Sequence, residues 1–368
     1  MRIGIPKEIK DQEGRVGLTP AAAGKLVERG HEVLVETGAG LDSGFADDQY
    51  KQLGVNVVSA SEAWKTDLVV KVKEPLPAEY QYLKQQKIFT FLHLAGVDPA
   101  LTDALLTNGT TAIAYELVED EQGRLPILVP MSAIAGNVAV LMGAYYLAEF
   151  NGGKGVQLGR IGKNRHGHVL VVGDGVVGMH AARVASAMGA EVYVAGIDKS
   201  HMDWLRGNEL PEVNFVLSTP ENISCIVTEA DLIIGAVLCR GDKAPKVVTE
   251  QMIATMMPGS VVVDVSIDQG GCIETSRPTS HTEPVYTTHG VIHYCVSNMP
   301  GAYPRTSTLA LNEATLPFVL KLAEAGKEGL EHLGIGLKKA VITYHGHLTN
   351  HAAAAALDRL EYYRALVD

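Results

Sequence analysis

A chain of 368 residues is long for one domain and comfortable for two. Its 46% hydrophobic and 20% charged residues suit large buried cores. A formal net charge of −11, with no lysine- or arginine-rich block, would repel a phosphate backbone and excludes nucleic acid as an expected partner. Cys225, Cys239, Cys272 and Cys295 are scattered, without CxxC or metal-type spacing, which suits a reducing compartment. The opening MRIGIPKEIKDQEGR has no apolar core of a secretory signal, and no uncharged apolar run is expected to reach the roughly 18 residues of a spanning helix. A cytoplasmic protein that does not enter the membrane is expected.

In chain order, residues 2–5, 32–36, 67–72, 88–92 and 111–115 read as strands. Thr19-Pro20 places a capping hydroxyl before a proline at the first helical position, opening a helix to about Gly30. Asp98-Pro99 repeats that device ahead of a helix through Leu106. Residues 131–150 are apolar, lack proline and end at Asn151-Gly152-Gly153, which reads as a buried connecting helix. A second alternating set runs from 169 to about 296, followed by an apolar helix over 306–325 despite Pro317. A polar tail and a final helix from about Asn350 close the chain. The fold class expected is α/β: two Rossmann-like, doubly wound parallel-sheet domains joined by long linking helices. Residues 1–130 with 305–368 would form a substrate domain, and 131–304 a dinucleotide domain that includes the linking helix.

Within that second set, the β-branched run 169–172 leads directly into Gly173-Asp174-Gly175-Val176-Val177-Gly178, and a helix continues from His180 to Met188. This is GxGxxG between a strand and a helix, the setting in which the pattern has meaning. The first glycine permits a tight turn, the second lets backbone approach a pyrophosphate, and the third lets helix and strand pack closely. The helix N-terminus adds partial positive charge. The next strand, 191–195, ends at Gly196, where a ribose-binding acid would ordinarily stand. Asp198, beyond Ile197, has a tolerable spacing for that task, and equally the position of an N-cap for the following helix.

Four polar residues fall where strands end. Arg15 precedes the first helix, Lys73 ends one apolar run before Glu74-Pro75, His93 follows another, and Asp268 follows 261–267. Ligands collect beyond the carboxyl ends of such strands. Two cations suit a carboxylate, and an imidazole with a carboxylate suits proton transfer. Each also has an ordinary explanation: solvated surface charge for Arg15 and Lys73, an interior histidine for His93, a turn residue for Asp268. His345-Gly346-His347 and His351 lack a cysteine or carboxylate at ligand spacing, so no metal site is expected there. Cys239 and Cys272 sit beside apolar strands and read as inert thiols.

The stretches MRIGIPKEIKDQEGRVGLTP, VVKVKEPLPAEY, FTFLHLA, IGAVL, VDVSIDQGGCIETSRPT and HYCVSNMPGAYPRTSTLAL, in this order, resemble the alanine dehydrogenase family from Met1 to about Ala325, and more loosely beyond. That resemblance implies NAD-linked, reversible oxidative deamination of L-alanine to pyruvate and ammonia by a homohexamer. Arg15 and Lys73 would bind the substrate, and His93 and Asp268 would be the catalytic pair. Ser132, the glycine turn, Gly196 to Asp198, His201, Ser218, Val237, Leu238, Ile267, Asp268, Asn298 and Met299 would line the cofactor cleft.

The chain departs from the family at the adenosine end. The family's ribose-binding acid aligns with Gly196, its following lysine or arginine with His201, and an arginine it commonly carries with Asn137. Loss of the acid removes one barrier to a 2′-phosphate, and Lys199 and Arg206 lie nearby, so NADP use is an expectation beside NAD. Two rival functions belong to the same architecture. One is the NAD(H)-binding component of a transhydrogenase, which would not need Arg15, Lys73, His93 and Asp268 together. The other is an opine-type reductase joining a 2-oxo acid to an amino acid.

Overall fold

The structure, a computed structural model, describes residues 1–239, 243–326, 330 and 332–366. The chain divides into two compact units, Met1–Met131 with Gly301–Asp368, and Ser132–Pro300.

The first unit is built on an eight-stranded sheet in the order His347–Leu348, Val341–Tyr344, Thr111–Ala114, Lys87–Thr90, Leu68–Val70, Arg2–Ile5, Glu32–Glu36, Asn56–Val58. Ile3 pairs with Val33 on one side and Leu68 on the other, so the first strand is central and the winding reverses beside it. The six strands from the N-terminal part are parallel. Leu68, Val69, Val70, Ile88 and Phe89 are fully buried, which explains why these strands read as continuous apolar runs rather than alternations. Two strands are shorter than the expected 67–72 and 88–92. Beyond Val70 the backbone turns to a side chain, with the Val72 N–H donating to the buried Glu8 carboxylate at 2.7 Å. Both expected caps form: the Thr19 hydroxyl accepts from Ala22 N–H (3.2 Å) and the Asp98 carboxylate from Ala100 N–H (2.9 Å).

The polar tail expected after residue 325 instead supplies two strands. Val341–Tyr344 lies antiparallel to Thr111–Ala114, and His347–Leu348 returns beside it. His345 (φ 46°) and Gly346 (φ 78°) make the turn, with the two positive φ angles that a tight hairpin requires. The final helix, His351–Ala356, is capped by Asn350, whose side chain accepts from Ala353 N–H at 2.9 Å. The helix Pro304–Ala325 runs through Pro317, which sits on its exposed side, where the carbonyl left without a donor meets water.

The second unit carries a seven-stranded sheet in the order Asn214–Leu217, Glu191–Gly196, His168–Val172, Leu232–Gly235, Val261–Asp264, Val291–Tyr294, Val285–Thr288. The first six are parallel and the last is antiparallel. The strand expected over 261–267 stops at Asp264, whose carboxylate accepts from Ser266 N–H at 3.0 Å and starts the 3-10 turn Val265–Gln269.

The helix Leu128–Tyr146 starts three residues before the expected 131 and ends four before 150. It corrects one expectation directly: its 19 residues are uncharged and, by length and composition, could cross a membrane. Its packing is that of a protein-facing helix. A Cβ on Gly136 would overlap the Val177 carbonyl oxygen, and one on Gly143 would come to 2.5 Å from Leu232 Cδ2. Both glycines let the helix backbone lie against the second unit's own helix and strand.

Candidate functional site

In the first unit, Arg15, Lys73 and His93 all follow carboxyl ends of parallel strands: Arg2–Ile5, Leu68–Val70 and Lys87–Thr90. Arg15 is 2% exposed, the opposite of a solvated charge. Glu13 holds it on three sides, accepting from the Arg15 backbone N–H (3.0 Å), Nε (2.7 Å) and Nη2 (2.5 Å). Arg15 Nη1 also lies 3.2 Å from Met131 Sδ. A guanidinium gripped by one bidentate carboxylate is held in a fixed orientation.

Lys73 is half-buried and its carbonyl accepts from the Thr90 hydroxyl at 2.9 Å. Just before it, Lys71 is completely buried between Glu8 (3.2 Å) and Glu79 (2.8 Å). The loop that carries Lys73 is therefore pinned by a buried ion triad and by the Glu8–Val72 hydrogen bond.

His93 adopts left-handed backbone (φ 46°, ψ 41°), which is uncommon for a residue with a side chain and clusters at functional sites. Its N–H donates to Glu116 at 2.6 Å, and its ring stacks on Phe91 at 5.6 Å with an interplanar angle of 5°. The imidazole is about half exposed, 48% at the side chain, so it is not a satisfied interior histidine. Phe91 packs edge-on against the buried Tyr115, whose hydroxyl burial pushes well above its ordinary titration range.

In the second unit the glycine turn, Gly196 to Asp198, Ser218, Val237, Leu238, Ile267, Asp268, Asn298 and Met299 lie at or beyond carboxyl ends of the sheet's parallel strands, while Ser132 lies in the helix Leu128–Tyr146. The three glycines of the turn divide their tasks. Gly173 (φ 112°) makes the turn, and a Cβ there would meet the Ala236 carbonyl oxygen at 2.5 Å. A Cβ on Gly178 would overlap the Gly173 carbonyl oxygen. One on Gly175 would meet nothing within 4 Å among the described residues, and φ there is an ordinary −75°. Gly175 thus leaves open space before the first N–H groups of the helix Val176–Met188, as close approach of a pyrophosphate requires. These residues fit a dinucleotide. Gly178→Ala should lower stability by about 1–3 kcal/mol through overpacking. Gly175→Ala should leave the melting temperature unchanged and weaken dinucleotide binding by about tenfold or more, measured by titration of the folded variant.

At the end of the next strand, Asp198 is an N-cap: its Oδ1 accepts from Ser200 N–H (2.8 Å) and His201 N–H (3.3 Å). Ile197 is exposed and Gly196 buried. Ser218 donates its N–H to the Gly196 carbonyl at 2.8 Å. His201 Nε2 lies 3.2 Å from the Asp174 carbonyl oxygen, so it fixes the glycine turn from outside. Arg206 is engaged elsewhere, paired with Asp203 (2.9 Å) and lying over the Phe215 ring.

Val237 and Leu238 follow the strand Leu232–Gly235, with Leu238 63% exposed. Asp268 is exposed on a loop held at both ends. The Gln269 amide exchanges two hydrogen bonds with the Cys239 backbone (3.1 and 2.7 Å), and Lys246 Nζ donates to the carbonyls of Gly270 (2.7 Å) and Gly271 (2.9 Å). Behind it, Asp264 is buried and its carboxyl pushed up by burial. Buried Cys272, with its thiol driven up to about 12 by burial, is an inert thiol. Ser132 is half-buried in the helix Leu128–Tyr146, as is Asn137, whose buried Oδ1 has no hydrogen-bond partner among the described residues. Asn298 is left-handed (φ 67°) and its carbonyl lies 3.2 Å from His281 Nε2, while Met299 is buried.

His93 and Asp268 belong to different units. Glu8, Lys71 and Glu116 had no signal as supporting residues, because their partners include ones 23 to 64 positions away and charge alone does not reveal burial. Glu13, two residues from Arg15 in a glycine-containing loop, was the one within reach of local reading.

Comparison with known proteins places both units in one lineage. Residues 4–135 match the model of the alanine dehydrogenase/PNT N-terminal domain, and 139–351 that of the C-terminal domain. An alanine dehydrogenase from Staphylococcus epidermidis is 48% identical over 353 residues, 95% of this chain and 95% of its own length. Alanine dehydrogenase 2 of Staphylococcus aureus is 46% identical, covering 98% of each. Among solved structures, an L-alanine dehydrogenase aligns with a TM-score of 0.94 at 48% identity, over 98% of this chain and 100% of that one. A transhydrogenase from Sinorhizobium meliloti aligns at 0.82 and 25% identity, over 95% and 100%. Two domain models in their proper order, and near-half identity sustained from end to end, mean that the chain belongs to the alanine dehydrogenase/PNT family.

Proposed function

We propose that this chain is an alanine dehydrogenase: L-alanine, NAD and water give pyruvate, ammonium, reduced NAD and a proton, reversibly. The observation that carries the reading is the set of Arg15, Lys73, His93 and Asp268, each fixed at the carboxyl end of a parallel strand, in a chain similar to relatives that bear that name. The unit holding Arg15, Lys73 and His93 takes the substrate, and the unit holding the glycine turn takes the dinucleotide. When bound, the nicotinamide supplies the acceptor for the hydride of the alanine Cα.

Arg15, held rigid by Glu13, binds the substrate carboxylate by paired charged hydrogen bonds. Lys73 and His93 draw electron density from the imine that remains at Cα. Asp268 takes a proton from the attacking water, and the resulting carbinolamine expels ammonia as its hydroxyl becomes the pyruvate carbonyl. Pre-set charge and position supply most of the rate, since the Arg15 and His93 side chains and the loops that carry Lys73 and Asp268 are held before substrate arrives.

We read the active species as a cytoplasmic homohexamer. Exposed Tyr145 and Phe150, meeting edge-on at 6.3 Å, support burial against other copies. Gly196 admits the 2′-phosphate of NADP only if no other acid stands at the ribose. The test of the reaction class replaces ammonia by amino acids in the presence of pyruvate and NADH. Oxidation of NADH with ammonia alone is expected; faster oxidation with an amino-acid amine would make the chain an opine-type reductase.

A further inference from the structure

Gly196 lacks the side chain that would hold a ribose, yet the space beside it is filled. A Cβ built on Gly196 would lie 2.6 Å from Asp174 Cγ and closer still to Asp174 Oδ2, with Met202 Sδ at 2.9 Å. The carboxyl group of Asp174 therefore occupies the volume into which a side chain at 196 would project, since successive bonded carbons are only about 1.5 Å apart. The two positions exclude each other: a carboxylate arrives from the glycine turn, or a side chain from the strand end.

Asp174 Oδ2 is also a buried oxygen without a hydrogen-bond partner among the described residues. A carboxylate oxygen shielded from water and given no donor is costly and calls for an explanation. The turn that carries it is fixed, with Gly173 N–H donating to the Ala195 carbonyl at 2.8 Å and His201 Nε2 at 3.2 Å from the Asp174 carbonyl oxygen. The nearby acid with the other claim, Asp198, has Oδ1 committed to capping its helix. Arg206, one of two cations placed to attract a 2′-phosphate, is paired with Asp203.

We propose that Asp174 is the ribose-binding acid of this chain, relocated from the end of the second strand to the second position of the glycine turn, and that it selects NAD over NADP. The inference rests on assigning a nicotinamide dinucleotide to that turn. A ribose hydroxyl at the glycine turn donates to this carboxylate. A 2′-phosphate in the same place sets like charges against each other and removes that donor.

The test is equilibrium binding to the full chain, followed by protein fluorescence, with NAD, 2′-deoxy-NAD and NADP. The unaltered chain should bind NAD about tenfold more tightly than 2′-deoxy-NAD, the usual worth of a hydrogen bond to a charged group. Asp174→Ala and the nearly isosteric Asp174→Asn should both weaken NAD, leave 2′-deoxy-NAD almost unchanged and narrow the gap to NADP. Gly196→Asp alone should weaken NAD by crowding Asp174, and the double variant Asp174→Gly, Gly196→Asp should recover it. If both Asp174 variants keep the original NAD to 2′-deoxy-NAD ratio, the assignment is overturned while the cofactor reading stands. If the unaltered chain binds none of the three, both fall together.

Discussion

Asp268→Asn and His93→Ala should each lower kcat for pyruvate amination by about 10²–10⁴, the usual contribution of a positioned proton-transfer group. Neither change should disturb the fold. Asp268 is exposed on a loop whose anchors are Gln269 and Lys246, and the His93 side chain stands half in solvent, held by stacking on Phe91. Steady-state rates with unchanged thermal melting would establish the pair. Near-normal turnover in both variants would remove it. The native φ of 46° is uncommon for any residue with a Cβ and less so for histidine than for alanine, so the melting control separates loss of the imidazole from backbone strain.

Lys71→Met should cost about 3–5 kcal/mol of stability, read from denaturant unfolding, because it leaves two carboxylates buried and uncompensated. Burial pulls the Lys71 ammonium down, but Glu8 and Glu79 outweigh it and hold the group above the ordinary lysine range. Burial likewise pushes the Glu8 carboxyl up, against the pull of Lys71. The triad is thus one cation shared by two acids, with the ammonium charged. Adding Glu79→Leu to Lys71→Met should return part of the loss, since it removes one of the stranded charges. The functional consequence is specific. Glu8 accepts the Val72 N–H directly ahead of Lys73, so loosening it should raise KM for pyruvate more than it lowers kcat.

The sequence made the parallel sheets and the glycine turn readable, because strand residues buried on both faces leave unbroken apolar runs and each glycine of the turn has a steric reason. Thr19 and Asp98 were equally readable, since capping is a local interaction. The strands Val341–Tyr344 and His347–Leu348 were not, because the first is stabilised by pairing with Thr111–Ala114 across more than 220 positions, the second pairs with the first, and a histidine stands in the turn and another just after it. Asp198 shows the limit of spacing as a guide. At one distance from the glycines an acid can grip a ribose or cap a helix, and only the hydrogen bonds distinguish them. Strand-end placement singled out Arg15, Lys73, His93 and Asp268, but the buried Glu8 and Lys71 that hold the Lys73 loop are visible only once distant segments are packed.

The central claim is that these side chains exchange ammonia for the carbonyl oxygen of pyruvate at the expense of reduced NAD. The most direct measurement supplies pyruvate, ammonium and NADH to the full chain, follows loss of NADH absorbance and quantifies the amino acid formed. One L-alanine per NADH oxidised is the result expected. NADH oxidation that does not depend on ammonium, or no oxidation at all by chain that binds NADH, would contradict the account.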